Sequence, residues 1–124
     1  MTNPERRACR RFPVPDAVVD WRTDPPGDAY GSAVRVGDLS RGGLRMHTPG
    51  PPAPGSRLDL SLRVPGEPAL LLRGRVAWSS VSSGQMHDVG VEFAAYGHGP
   101  DDNDPSALER LVAIESRFAD QPGP

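Results

Sequence analysis

The 124-residue chain is long enough for one domain with a short appendage, and its 36% hydrophobic residues suffice for a single core only if they are concentrated. Its 14 glycines and 15 prolines, about twice the usual share, cut the apolar content into short segments and favour an all-β domain over helical layers. The formal net charge of −2 gives the molecule as a whole no electrostatic reason to seek nucleic acid or anionic lipid.

The chain opens on a basic arm over residues 1–13, where Arg6, Arg7, Arg10 and Arg11 stand against a single Glu5. No apolar stretch follows that could serve as a signal-peptide core, and no run approaches the roughly 18 apolar residues of a membrane span, so a cytoplasmic protein is expected. Cys9 alone makes neither a disulfide nor a zinc site, and without a resolving cysteine it is an incidental small side chain. His47, His87 and His98 lack the spacing of paired ligands on one element, so no metal is expected.

A barrel-forming region is expected over 14–96. Val14 to Arg22 reads as a first strand ended by Asp24-Pro25-Pro26-Gly27-Asp28, and Gly31 to Leu39 as a weaker second one in which Val34 and Val36 share a face. Gly42-Gly43 turns the chain into Leu44 to Thr48, which predicts a hairpin. The proline-rich Pro49 to Gly55 cannot donate to a ladder and is a loop. Leu58, Leu60, Leu62 and Val64 then alternate with Arg57, Asp59, Ser61 and Arg63, giving one buried and one wet face. Beyond Pro65-Gly66-Glu67-Pro68, a fifth strand from Leu70 to Trp78 places residues 70, 72, 76 and 78 inward and Arg73 and Arg75 outward. By that parity Trp78 belongs to the core or a barrel end. A polar turn over Ser79 to Gln85 leads to a sixth strand, Val89 to Phe93, beside which Asp88 and Glu92 serve as solubilising residues on the strand face rather than a catalytic pair.

Six strands with turns every eight to twelve residues suggest a sandwich or barrel, and closure would protect the edges. An acidic linker follows over 97–104. Asp104 can cap and Pro105 suits the first helical position, so a helix is expected over 105–119, with Leu108, Leu111, Val112 and Phe118 at helical spacing and a disordered tail over 120–124.

Two clusters carry chemistry. Arginine's planar fork matches a phosphate or the O6/N7 edge of guanine in bidentate fashion, so an arm holding several such forks can wrap a nucleotide, although basic termini are also common as solvated charge runs. In Asp38-Leu39-Ser40-Arg41-Gly42-Gly43, a carboxylate can accept from guanine N1 and N2, a hydroxyl can add a hydrogen bond, and glycine admits a ring close to the backbone. Asp, Ser and Gly also suit any tight turn on their own account.

Taken together, Arg7-x-x-x-Arg11 on an arm, Asp38-x-Ser40-x-x-Gly43 between strands, then Gly74-Arg75-Val76-Ala77-Trp78 and Val89-Gly90-Val91-Glu92-Phe93, resemble the PilZ domain over roughly residues 5–95. The resemblance implies a six-stranded antiparallel β-barrel with a C-terminal helix that binds cyclic di-GMP through Arg7, Arg11, Asp38, Ser40 and Gly43. Arg6-x-x-x-Arg10 has the same spacing, but the flanks Glu5-Arg6 and Phe12-Pro13-Val14 favour the Arg7/Arg11 register. Arg6 then directly precedes the motif, which in PilZ-like proteins goes with an intercalated ligand dimer. The implied role is an effector that passes the second-messenger signal to a partner protein, of motility or exopolysaccharide machinery, as ligand orders the arm. The rival role is an adaptor that binds no nucleotide. A nucleic-acid-binding barrel is disfavoured by the acidic total, and no cofactor is expected. Without a Walker-type loop or a His-nucleophile pair, the sequence does not read as an enzyme.

Overall fold

The computed structural model describes residues 11–23 and 34–119. Arg6, Arg7, Cys9, the Asp24–Asp28 turn and the 120–124 tail lie outside the described residues. Six strands, β1 (Val18–Thr23), β2 (Val34–Leu39), β3 (Gly43–Thr48), β4 (Arg57–Arg63), β5 (Leu70–Ser83) and β6 (Met86–Phe93), close into an antiparallel barrel in the order β1-β2-β3-β6-β5-β4. One helix, α1 (Pro105–Ala119), follows.

β4 behaves as its alternation dictates, with Leu58, Leu60 and Leu62 buried in the barrel beside Val19, Leu44, Met46, Leu72, Val76, Val89 and Val91. The arm enters this core. Phe12 and Val14 are buried, and Phe12 exchanges two backbone hydrogen bonds with Leu39: its N–H donates to the Leu39 carbonyl at 2.9 Å and its carbonyl accepts from Leu39 N–H at 3.0 Å. The first strand begins later than expected because Val14 to Ala17 form a turn, closed by Ala17 N–H donating to Val14 O at 3.1 Å, with Asp16 at φ 65°.

Two readings of β5 and its neighbours are corrected. Ser79 to Ser83 is not a polar turn: the strand continues to Ser83 and pairs with β6, and the reversal is confined to Gly84-Gln85 between the partners Ser83 and Met86. Trp78 does not point inward. The register shifts between Val76, opposite Val91, and Trp78, opposite Gly90, so one extra residue flips the parity, and Trp78 is 40% exposed on the outer face.

Helix α1 begins as its sequence predicts. Asp104 Oδ1 accepts from Ser106 N–H at 2.9 Å, the first helical residue is Pro105, and Ala107 N–H donates to Asp104 O. The bonds from the Ser106 backbone and side chain, with a weaker contribution from His98, hold the Asp104 carboxyl below its ordinary value. A lowered folded value means the cap is fully made at neutral pH and is lost as pH falls through that value. The helix buries Ala107, Leu111 and Ile114 and half-buries Phe118, a stripe rotated from the expected one, so that Leu108 and Val112 flank it. Arg110 donates to the Ala69 and Pro68 carbonyls, and Arg117 donates to Glu67 at 2.8 Å and Pro65 O at 3.0 Å, tying the helix to the β4–β5 turn.

The acidic stretch 97–104 is held to the barrel by Arg57, which pairs with Asp101 at 2.9 Å, by Arg73, which donates to the Pro100 carbonyl, and by Asn103. Asn103, 4% exposed, accepts from Arg73 N–H at 2.6 Å and donates to the Arg73 and Ala94 carbonyls at 3.0 Å each. Asn103→Ala would take this partner from Arg73 N–H and the Ala94 carbonyl, while the Arg73 carbonyl keeps its bond from Ala94 N–H at 2.8 Å. We expect it to destabilise the fold by about 2–4 kcal/mol, seen as a lower urea midpoint with an unchanged slope.

Candidate functional site

The Asp38–Gly43 turn is built by its own side chain. Ser40 is buried, and its hydroxyl oxygen accepts from Gly42 N–H at 3.2 Å and Gly43 N–H at 3.1 Å, while Ser40 N–H donates to Gly43 O at 2.8 Å. The Ser40 hydroxyl also lies 3.3 Å from that carbonyl. Gly43 starts β3 opposite Glu92, so close to the neighbouring strand that an added Cβ would overlap the Val91 carbonyl oxygen. Glycine is required there for close approach of two backbones rather than for a turn conformation.

Asp38 reaches the outer surface through a bulge at Gly37. Val36 pairs with buried Met46, and strict alternation would send Asp38 to the same inner face; instead the register shifts, Asp38 stands opposite Arg45, and Leu39 resumes the inner face opposite Leu44. The Arg45 guanidinium lies over Gly37, where an added Cβ would come within 2.9 Å of its terminal nitrogen.

The carboxylate is gripped from two sides. Arg11 donates to Asp38 Oδ1 at 2.9 Å and Arg45 Nε to Asp38 Oδ2 at 3.1 Å. Arg11 is placed there by the Phe12–Leu39 bridge, which fastens the end of the arm one residue away from the motif's first acidic group. Its side chain remains 55% exposed, so one fork is presented at the surface beside the carboxylate. The charges continue along the surface: Arg45 stands 3.9 Å from Asp88, and His47 Nδ1 is 3.0 Å from Asp88 Oδ1. The angle of that last approach does not make a hydrogen bond, and both atoms are buried without one among the described residues.

The bulges at Gly37 and Ala77 have a joint effect. Asp38 on β2, Arg45 on β3, Gly90 on β6 and Trp78 on β5 become successive cross-strand partners in one row on the outer face. Gly90 has no side chain in that row, and the Trp78 indole occupies the space; a Cβ at residue 90 would meet the indole nitrogen. A carboxylate, a guanidinium and a partly exposed aromatic plane therefore line one shelf, with Arg11 at its edge. This set can accept from a purine's amide edge, stack on its ring and pair with a phosphate.

Of the residues picked from the sequence, Arg11 and Asp38 are brought into contact, whereas Ser40 and Gly43 stand behind them within the turn. Arg6 and Arg7 lie outside the described residues. Sequence reading missed Arg45 as a member of the site and placed Trp78 on the wrong face. The available signal was an isolated glycine within the β2 pattern, Gly37 between Val36 and Asp38, since such a glycine marks a bulge. Arg41, inside the motif, carries a further contact: its Nε and Nη2 donate to the two carboxylate oxygens of Glu115 on α1 at 3.1 Å each, and its carbonyl accepts from the Tyr96 hydroxyl at 2.6 Å. Among the described residues no group of three or more His, Cys, Asp or Glu could hold a metal ion, and no helix is long and apolar enough to cross a membrane.

Comparison with solved structures places this barrel among known ones. The PilZ domain of YcgR from Escherichia coli, solved with c-di-GMP, superposes with a TM-score of 0.64 at 17% identity, covering 92% of each chain. The MrkH–c-di-GMP complex of K. pneumonia gives a TM-score of 0.67 at 14% identity, covering 86% of this chain and 49% of MrkH, so this chain spans about half the length of that protein. The Bacillus subtilis inhibitor of motility, MotI/DgrA, gives 0.58 at 16% identity, covering 94% of this chain and 53% of the other. At these identities the likeness shows the fold. No curated protein matches by sequence. The sequence itself matches the PilZ domain over residues 5–113, the whole barrel and most of the helix, and the chain belongs to that family.

Proposed function

We propose that this chain is a cyclic di-GMP receptor whose ligand seats on the shelf formed by Asp38, Arg45 and Trp78, with arginines of the arm closing over it. The observation that carries this reading is the outward carboxylate of Asp38, flanked by two guanidinium groups and lying in one cross-strand row with a partly exposed tryptophan. Two of the relatives by fold, YcgR and MrkH, were solved with c-di-GMP.

In this reading Asp38 accepts from guanine N1–H and N2–H, a pattern that adenine does not offer. Arg11 exchanges its pairing with Asp38 for the ligand's phosphate, and Arg7 adds a second fork from the arm. Arg6, directly before the motif, would serve a second, intercalated nucleotide. Ser40 and Gly43 act by holding the turn that sets Asp38. Ordering the arm costs about 1–2 kcal/mol per residue in backbone entropy, and charge-assisted hydrogen bonds of about 1.5–3 kcal/mol each offset it. The signal then leaves through a partner protein that reads the closed surface. The Arg41–Glu115 fork supplies one route, since it joins the ligand-binding turn directly to α1.

Calorimetric titration with cyclic di-GMP, cyclic di-AMP and GMP tests the proposal. Saturable heat is expected with cyclic di-GMP and none with cyclic di-AMP. A flat titration at about 50 μM cyclic di-GMP would leave no role for the micromolar binding these contacts imply, and the adaptor reading would replace it.

A further inference from the structure

We propose that the distal half of β5 is a self-association edge through which two copies of this chain pair antiparallel. The proposal does not rest on the nucleotide reading. β5 is 14 residues long, whereas its neighbour β4 has seven and pairs only with residues up to Arg75. Among the described residues the last backbone bonds on that side are Gly55 N–H to Val76 O at 2.8 Å and Val76 N–H to Ser56 O at 2.9 Å. Beyond them, Ala77 to Ser83 pairs with β6 on one side, and among the described residues no strand pairs with its other edge.

An open strand edge is a template for another strand, and soluble proteins usually guard it with lysine, proline or a charge turned inward. Ala77-Trp78-Ser79-Ser80-Val81-Ser82-Ser83 contains none of these, and Val81 is 68% exposed. Bulges lie near both ends of the segment, but from Trp78 to Val81 the strand keeps regular register with β6, opposite Gly90, Val89, Asp88 and His87.

The occupant follows from the chemistry of the edge. The stretch Trp78 to Val81 carries no charge to select a charged peptide, and the cavity that Ser82 and Ser83 line with Val34, Arg35 and His47 lies past it at the hairpin end, so recognition along Trp78 to Val81 rests on backbone pairing. A second copy supplies that pairing with no unfavourable juxtaposition. A two-fold axis perpendicular to the sheet and centred on Ser80 sets Val81 of each copy opposite Ser79 of the other on the same face, with no like charges facing along the segment. The result is a continuous ribbon of four strands, β6-β5 of one copy followed by β5-β6 of the other. So short a contact makes a weak dimer, populated as concentration rises.

Sedimentation velocity of the full chain over a concentration series tests this, beside Val81→Lys and Val81→Glu. We expect the parent to show a dimer fraction that grows with concentration, and amide exchange of Trp78–Ser83 to slow in parallel. Val81→Lys alone should stay monomeric with an unchanged urea midpoint, because residue 81 is exposed. The two residue-81 side chains are diagonal neighbours across the axis, so an equimolar mixture of the Lys and Glu variants should dimerise again. A parent that stays monomeric at its highest soluble concentration overturns the proposal and leaves the edge to a strand from another protein. A dimer that persists undiminished in Val81→Lys also overturns it, because the interface then lies elsewhere.

Discussion

Asp38→Ala is expected to weaken cyclic di-GMP binding by about 100-fold or more, because two hydrogen bonds to a charged acceptor are worth about 1.5–3 kcal/mol each and 1.4 kcal/mol is tenfold in affinity. The substitution removes the guanine acceptor and also releases Arg11 and Arg45, which both hold the carboxylate in the free protein. Stability should change little by comparison. Asp38 sits at the surface in pairs that reach solvent, and surface ion pairs contribute about 0–1 kcal/mol. Trp78→Ala makes the informative companion: loss of base stacking at about 1–3 kcal/mol predicts a fall nearer tenfold, with the barrel intact because the indole lies outside the core. Calorimetry on folded variants, each verified by urea unfolding, separates these effects. Parental affinity in Asp38→Ala would move the site away from this shelf.

Gly43→Ala is expected to act on the fold itself, lowering stability by about 3 kcal/mol or more, a large part of the roughly 5–15 kcal/mol of a typical domain. The added methyl would overlap the Val91 carbonyl oxygen and come within 3.4 Å of Glu92 Cα, all backbone atoms of β6 that no rotamer change can clear. β3 and β6 must then separate where Gly43 pairs with Glu92, and the Ser40-braced turn loses its anchor with them. Gly50→Ala is the control, since among the described residues nothing lies within 4 Å of a Cβ there. Urea unfolding should show a large midpoint shift for the first and almost none for the second. Comparable stability in both would mean that β3 and β6 separate at this point without loss. In the proposed site, Gly43 would act through the architecture under the turn, and Asp38 and Arg11 through charge.

The Arg41–Glu115 fork gives the motif a mechanical neighbour. A bidentate guanidinium–carboxylate pair is geometrically specific, and this one joins the turn to α1, whose inner face is fixed by Ala107, Leu111 and Ile114.

Features carried by local chemistry were legible in the sequence. Period-two alternation in Leu58, Leu60 and Leu62 named β4 and its buried face, because no bulge interrupts that strand. Asp104 and Pro105 named the start of α1, because a cap and a fixed φ act within one turn of helix. That Arg7-x-x-x-Arg11 and Asp38-x-Ser40-x-x-Gly43 form one site was implied by the PilZ resemblance rather than by local chemistry, and of these residues Arg11 and Asp38 are in contact. Features that depend on a partner strand were not legible. Parity counted from Val36 or Val76 sends Asp38 and Trp78 inward, and only the registers with β3 and β6 reveal the extra residues at Gly37 and Ala77 that turn both outward beside Arg45. The length of β5 was hidden for the same reason, since a serine-rich segment becomes strand only when β6 pairs with it. Sequence alone thus determined which residue types were available for nucleotide chemistry, and the closed barrel decided which of them share a face, because register is a property of two strands together.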